Sequence, residues 1–249
     1  MSAVRRIISA TVRKKPTSTR SRTIAQLDLE DASALIVGAT GGLGSRIARL
    51  LAERGARLTL VGRTADRVDA LDVPGEKLTL DLRFPSNVGR AVEAAVAAGG
   101  GLDVVVNAAG VVAFGPVAEL SVDTVEELFL LNTFMPMVLA KAALAHLREG
   151  GVIVNVSAVV AERAMPGMAA YSASKAALTS FDAALAREAR RARVRVIDVR
   201  PPHTETGLAG HPVAGDAPSL PDGLDPDAVA ERIVDAIADG ATELASDAF

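Results

Sequence analysis

Gly38-Ala39-Thr40-Gly41-Gly42-Leu43-Gly44 packs four glycines into seven residues, directly between the apolar run 34–37 and a stretch with Ile47, Leu50 and Leu51 at helical spacing. Glycine has no Cβ, so a loop this rich in it can turn tightly and bring its backbone against a ligand. A strand, such a loop and a helix in succession aim the exposed N–H groups of the helix N-terminus at an anion, and a pyrophosphate fits that arrangement. The plainer reading is a tight strand-to-helix turn without a ligand, for which four glycines are more than turning requires. The loop parses as GxxxGxG through Gly38, Gly42 and Gly44, and equally as GxxGxxG through Gly38, Gly41 and Gly44.

Outward from this loop, short β-branched runs alternate with longer helical ones. That alternation predicts an α/β fold: a single-domain, Rossmann-like, doubly wound parallel sheet with helices on both faces, over residues 31–249. The predicted strands are 34–37, 57–61, 77–80, 102–106, 152–156 and 194–199. Sheets of this kind bind ligands beyond the carboxyl ends of their strands. A Gly-, Pro- and Asp-rich stretch, 201–226, follows the sixth strand, where a lid over a ligand would sit.

At the end of the second strand, a chain that binds NAD places an acid for the adenosine ribose 2′-OH. Here Val61-Gly62-Arg63-Thr64 carries no acid before Asp66. A guanidinium suits a 2′-phosphate, which favours NADP(H) over NAD(H); a solvated surface arginine is the alternative. Asp81 and Leu82 follow the third strand. The Asp81 carboxylate suits an adenine amino group, or equally a loop or N-cap role.

The chain has 249 residues, 49% of them apolar, enough for one large α/β domain. It has no Cys, and its three histidines, His146, His203 and His211, show no ligand spacing, so no metal chemistry is expected. The longest apolar candidate, 129–140, is broken by Asn132 and Pro136 and falls short of the roughly 18 residues of a membrane span, so none is expected. Residues 1–23 hold seven basic side chains and no acid, which leaves 20 basic against 30 acidic residues in the body. Residues 1–30 therefore read as a basic, disordered extension of a cytoplasmic protein, or as an organellar targeting segment. A body this acidic is not expected to bind nucleic acid.

The single tyrosine lies in Tyr171-Ser172-Ala173-Ser174-Lys175. On a helix, residues i and i+4 share a face, so the Lys175 ammonium stands near the Tyr171 phenol. A fixed cation favours phenolate and brings a group of pKa ~10 into catalytic range. Without a function, the pair is a surface contact worth a few tenths of a kcal/mol. Upstream, Pro136 lacks the N–H that would bond the Asn132 carbonyl in a regular helix, which frees that acceptor and kinks the helix, unless the helix ends at 133–135.

With the Gly38xxxGly42xGly44 loop, Asn107-Ala108-Ala109-Gly110, Asn132 and Tyr171xxxLys175 in that order between Ser33 and Thr206, the chain resembles the short-chain dehydrogenase/reductase family, in its shorter-chained branch. The resemblance implies an oxidoreductase that interconverts a ketone or aldehyde and an alcohol by hydride transfer with a nicotinamide cofactor. It implies Tyr171 as acid in reduction and base in oxidation. Lys175 would hold the nicotinamide ribose hydroxyls and depress the Tyr171 pKa, and the Asn132 main-chain carbonyl would hold a proton-passing water. The implied cofactor-binding residues are Gly38, Thr40, Gly41, Gly42, Leu43 and Gly44, with Arg63, Thr64, Asp81 and Leu82. Asn107, Ala108, Ala109 and Gly110 would line the adenosine side, Tyr171 and Lys175 the ribose, and Pro201 and Thr206 the carboxamide. Pro202 stands where the family pattern has Gly, so the backbone there is stiffer. Homodimers or homotetramers are usual in the family, and Ala and Leu on several faces of 171–192 suit burial between subunits.

The chain departs from the family at a serine. The usual carbonyl-polarising hydroxyl, 13 residues before the tyrosine, is Ala158 here, and the nearest serine is Ser157. In a regular strand, Ser157 points to the opposite face. Either the chain bulges and Ser157 takes the role, or the protein works without the hydroxyl, at roughly 10²–10³ in rate. The leading expectation is an NADP-dependent oxidoreductase acting on a small apolar carbonyl or alcohol, given Val111, Phe114, Met165, Met168 and Leu208 around the site, with His203 as a possible contact. A second is an NADP(H)-binding sensor that has lost turnover. A lyase or epimerase ranks third, since the chain has no large C-terminal substrate domain.

Overall fold

The computed structural model describes residues 26–249; most of the basic extension expected at 1–30 lies outside the described residues. Leu27 and Leu29, grouped above with that extension, pack as part of the domain. The Leu27 N–H donates to the Ala238 carbonyl, and Leu29 is buried.

Seven strands form one sheet in the order β3-β2-β1-β4-β5-β6-β7, and all of them pair in parallel. They are β1 (Ser33–Val37), β2 (Arg57–Gly62), β3 (Glu76–Thr79), β4 (Leu102–Asn107), β5 (Leu147–Val156), β6 (Arg195–Val199) and β7 (Glu243–Leu244). The helices are α1 (Gly42–Glu53), α2 (Ala65–Asp69), α3 (Pro85–Gly99), α4 (Val122–Phe129), α5 (Met135–Leu144), α6 (Ala169–Ala189) and α7 (Pro226–Asp239). The two faces of β1 show why its apolar run is unbroken. Ala34 and Ile36 pack with Ile47, Leu51 and Ile233 from α1 and α7, whereas Leu35 and Val37 pack with Val88, Val92 and Leu139 from α3 and α5. Successive side chains point to opposite faces, so a strand covered on both sides is apolar at every position. β7 escaped the sequence reading because two residues carry no alternation.

Pro136 neither ends its helix nor leaves it regular. A π-helical turn, Leu130–Phe134, joins α4 to α5, and the Met135 N–H bonds the Leu130 carbonyl five residues back. The extra residue absorbs the missing proline donor, a common device at functional sites. The joined helix Val122–Leu144 is long and apolar enough to cross a bilayer. Leu128, Met135, Leu139 and Ala140 are nevertheless buried inside the domain, as in a core helix.

The stretch 201–226 folds over the end of β4. Val213 and Phe114 donate to the Val112 and Ala214 carbonyls, and the Glu205 N–H bonds the Leu224 carbonyl.

Candidate active site

Between β1 and β4 the strand order reverses, and the ends of these two strands open a cleft of about 190 Å³. Gly38 adopts φ +78°, and a Cβ there would stand 2.6 Å from the Ala109 nitrogen. At Gly44 it would stand 2.1 Å from the Gly38 carbonyl oxygen, and at Gly42 2.5 Å from the Thr206 Cβ. Gly41 is less crowded, with the Gly38 oxygen at 3.2 Å. Gly38 and Gly44 belong to both parses, and the 2.5 Å contact at Gly42 against 3.2 Å at Gly41 selects GxxxGxG over GxxGxxG. Thr40 and Gly41 line the cleft, whereas Leu43 turns its side chain into the core.

The adenosine side is built by β2 and β3. Gly62 admits Thr40 and Val68, whose methyls would lie 2.7 and 2.6 Å from a Cβ. Arg63, Thr64 and Arg67 are exposed along the wall, and Arg67 donates to the Thr40 carbonyl at 2.6 Å. Arg63 makes no ion pair among the described residues, so its guanidinium is available to an anion. Asp81 and Leu82 line the same wall. The Asp81 carboxylate accepts from the Arg83 N–H at 3.0 Å and from its guanidinium at 3.2 Å. Arg83 also grips Glu127 of α4, with contacts from 2.6 to 3.2 Å. Bonding to Glu127, against a burial cost, raises the Arg83 pKa. This Asp81–Arg83–Glu127 bracket joins residues 44 apart in sequence, and no local pattern announces it.

At the other end, α6 carries Tyr171 and Lys175, both buried. Val112, Phe114, Leu128, Val160 and Met168 surround Tyr171. Lys175 Nζ donates to the Val156 carbonyl at 2.9 Å, and no hydrogen bond joins phenol and ammonium among the described residues. Burial raises the Tyr171 pKa, the reverse of the depression expected from an i+4 lysine. Desolvation by an apolar nest penalises phenolate more than the ammonium, held on a strand carbonyl, favours it. Burial lowers Lys175 to about 8, against Asp198 and Asp182, which favour its charge.

Asn132 is fully buried, and its side chain is a clamp. Its Oδ1 accepts from the Val111 N–H and its Nδ2 donates to the Val111 carbonyl, both at 2.9 Å, with a further bond to Ser174 Oγ at 3.0 Å. A Cβ on Gly110 would meet Asn132 Oδ1 at 3.0 Å and Lys175 Nζ at 3.3 Å, so this glycine lets three elements converge. Asn107 is buried behind the wall, which its neighbours Ala108, Ala109 and Gly110 form. Pro201 accepts from the Val159 N–H, and Thr206 lies over Gly42.

Ser157, a candidate catalytic hydroxyl from sequence, is turned away. Its Oγ lies 3.3 Å from both the Lys175 carbonyl and Thr179 Oγ1, under α6. The Ser157 N–H bonds the Val199 carbonyl, continuing the β5–β6 ladder in regular register. Without a bulge, alternation sends Ser157 to the helix and leaves Ala158 packed beside the Tyr171 cluster. The position that would need a hydroxyl holds a methyl group.

The sequence pattern of the family described as short chain dehydrogenase matches residues 32–215. The chain is 34% identical over 196 residues to an uncharacterized oxidoreductase of Methylorubrum extorquens, covering 73% of this chain and 79% of that protein. It is 32% identical over 201 residues to the hydroxynaphthalene reductase-like protein Arp2 of Metarhizium brunneum, covering 76% and 75%. A crystal structure of a short chain dehydrogenase from Burkholderia cenocepacia in complex with NADP shares the fold at a TM-score of 0.79 and 30% identity, covering 89% of this chain and 98% of that one.

Proposed function

We propose that this chain, which belongs to the short-chain dehydrogenase/reductase family and is therefore an NAD(P)-dependent oxidoreductase, uses NADP(H) to interconvert an apolar ketone or aldehyde and its alcohol. The observation that carries the reading is the convergence of Lys175 and Asn132 on Gly110, with Tyr171 buried one helical turn before Lys175, beside a turn that only glycine fits. When bound, the nicotinamide supplies or accepts the hydride.

The close-packed turn through Gly38, Gly42 and Gly44 leads into the N-terminus of α1, which would take a pyrophosphate. Arg63 would hold the 2′-phosphate, a reading supported by the NADP in the complex of the Burkholderia relative. Lys175 spends one N–H on the Val156 carbonyl and keeps two for ribose hydroxyls. Burial keeps the proton on Tyr171 at neutral pH, which is the donor form. In reduction the phenol would give that proton to the carbonyl oxygen as the carbon is reduced; oxidation needs the phenolate, which burial disfavours. The Asn132 carbonyl, with proline at position 136, is the acceptor for a water that returns protons. Phe114 and Met168 packed with Tyr171, together with the exposed Met165 and Leu208, favour an apolar substrate, in keeping with a relative named for a hydroxynaphthalene. Exposed Phe134 on the π-helical turn suits assembly as a homodimer or homotetramer.

Ala158 in place of a hydroxyl favours a second reading, an NADP(H) sensor without turnover. One experiment separates the two. The chain has no Trp, so nicotinamide fluorescence follows NADPH and NADH titrations, after which aldehydes and ketones are added. The enzyme reading expects tighter NADPH binding, a preference lost in Arg63→Ala, and turnover that falls ~10²–10⁴-fold in Tyr171→Phe. Tight NADPH binding with no turnover on any carbonyl supports the sensor, and tighter NADH binding overturns the role of Arg63.

A further inference from the structure

Beneath α6 lies a set of buried polar groups that the active site does not use. Strand register places Asn107 opposite Asn155 and Asn155 opposite Asp198, so three adjacent strands present a polar residue at one level. Asp182 of α6 meets this row and is only 2% exposed. Asn155 Nδ2 donates to Asp182 Oδ1 at 2.7 Å, Asn107 Nδ2 donates to Asn155 Oδ1 at 3.2 Å, and the Ala109 N–H donates to Asn107 Oδ1 at 3.3 Å. Each end of this chain has one role, because a backbone N–H only donates and a carboxylate only accepts. The two ends therefore dictate how both amides point. Ala109 lines the cofactor cleft, and its nitrogen lies 2.6 Å from where a Gly38 Cβ would stand.

We propose that Asp182 is a positioning residue for the cofactor cleft, acting through Asn155 and Asn107 on the backbone at Ala109. The inference rests on the cleft being the dinucleotide site. A cavity of about 360 Å³ behind α6, lined by Thr179, Asp182, Arg195, Asp198, Arg200 and Glu243, gives the carboxyl its access to protons. Among the described residues, Asp182 Oδ2 and Asp198 Oδ1 have no hydrogen-bond partner. A proton can therefore sit on Oδ2 while Oδ1 keeps its bond from Asn155.

Burial first, then Asp198, raises the Asp182 pKa to about 8, against the Asn155 bond and Lys175. The charged groups facing it are Asp198 from β6 and Lys175 from α6. Arg190, Arg195, Arg200 and Glu243 ring the cavity, and Glu162 reaches the set through Arg200. From β5 it meets only the neutral Asn155. Ionised, Asp182 makes the Asn155 bond charge-assisted and polarises the amides behind it; neutral, it holds them less firmly.

The test uses the full chain labelled with ¹⁵N. The Ala109 amide resonance is followed from neutral to alkaline pH in wild type and in Asp182→Asn, which retains an acceptor but does not ionise. The wild-type resonance is expected to titrate with a midpoint of about 8 and the variant's to lose that step, retaining only the shift that Lys175, also near 8 and beside Gly110, imposes on both proteins. NADPH titration should show binding ~10-fold weaker in Asp182→Leu and recovered to within about twofold in Asp182→Asn. An Ala109 titration no larger in wild type than in Asp182→Asn, or wild-type NADPH affinity in Asp182→Leu, overturns the proposal. If Asp182→Leu does not fold, the Ala109 titration decides alone. If wild type binds no NADPH, the cofactor reading fails, while the titration still judges the relay.

Discussion

At the glycine-loop end of the cleft close packing against the backbone constrains the residues, whereas around Tyr171 the constraint falls on side chains. Gly38, Gly42 and Gly44 each have neighbouring atoms within 2.6 Å of where a Cβ would stand, so their identity is tied to the fold itself. Ala158 has no such tie. A methyl group packs beside the Tyr171 cluster where a hydroxyl would serve chemistry, and the fold is intact around it. A group that acts only in the transition state can be lost without cost to packing, while a group that makes room for the backbone cannot.

Four substitutions probe this difference, beginning with the largest effect. Ala158→Ser restores a hydroxyl beside Tyr171 and is expected to raise the rate of NADPH-dependent carbonyl reduction by up to ~10²-fold, the scale of one oxyanion donor. Ser157→Ala should leave the rate within about threefold, since its hydroxyl faces α6. Steady-state kinetics on both variants check the pair, and a larger loss in Ser157→Ala reverses the assignment. At the other end, Gly42→Ala drives a Cβ onto Thr206 and should cost ~1–3 kcal/mol or more in stability. Gly41→Ala meets its nearest atom at 3.2 Å and should cost less. Thermal melts with and without NADPH compare them; equal losses would restore the GxxGxxG parse.

The smallest effect is on pH dependence. Asp182 titrates at about 8 in the fold against an ordinary 3.8. Between those values the folded chain binds more protons than the unfolded one, so the contribution of Asp182 to stability falls as pH rises from about 4 to about 8. Lys175, lowered to about 8 from 10.5, acts in the next window. There the unfolded chain binds more protons, and stability rises with pH. Asp182→Asn removes the first limb and should stabilise the protein by ~1–2 kcal/mol above pH ~8. Denaturant melts across pH check the sign: a variant less stable than wild type at alkaline pH contradicts it.

Much of this was legible in sequence. Six strands stood out because buried parallel strands are apolar at every position, and the alternation at Ser157 is regular because β5 keeps its register from Val152 to Val156 and on through the Ser157 N–H. Other features were hidden for identifiable reasons. The Arg83–Glu127 bracket joins residues 44 apart. Asn132 was read for its carbonyl, yet its side chain clamps Val111 and Ser174. The buried acids did leave a trace: Asp198 interrupts the apolar run 194–199, and Asp182 falls between Leu178 and Leu185 on a packed helix.

By itself, the sequence determined the parallel α/β architecture, the glycine loop at its head and the Tyr171/Lys175 pair, because each depends on spacing within one or two neighbouring elements. Only the tertiary structure decided which glycines matter, which way Ser157 points, and that the Tyr171 pKa rises rather than falls. Those answers depend on atoms brought together from distant parts of the chain. Steric contact and desolvation act through space, and neither is visible along the chain.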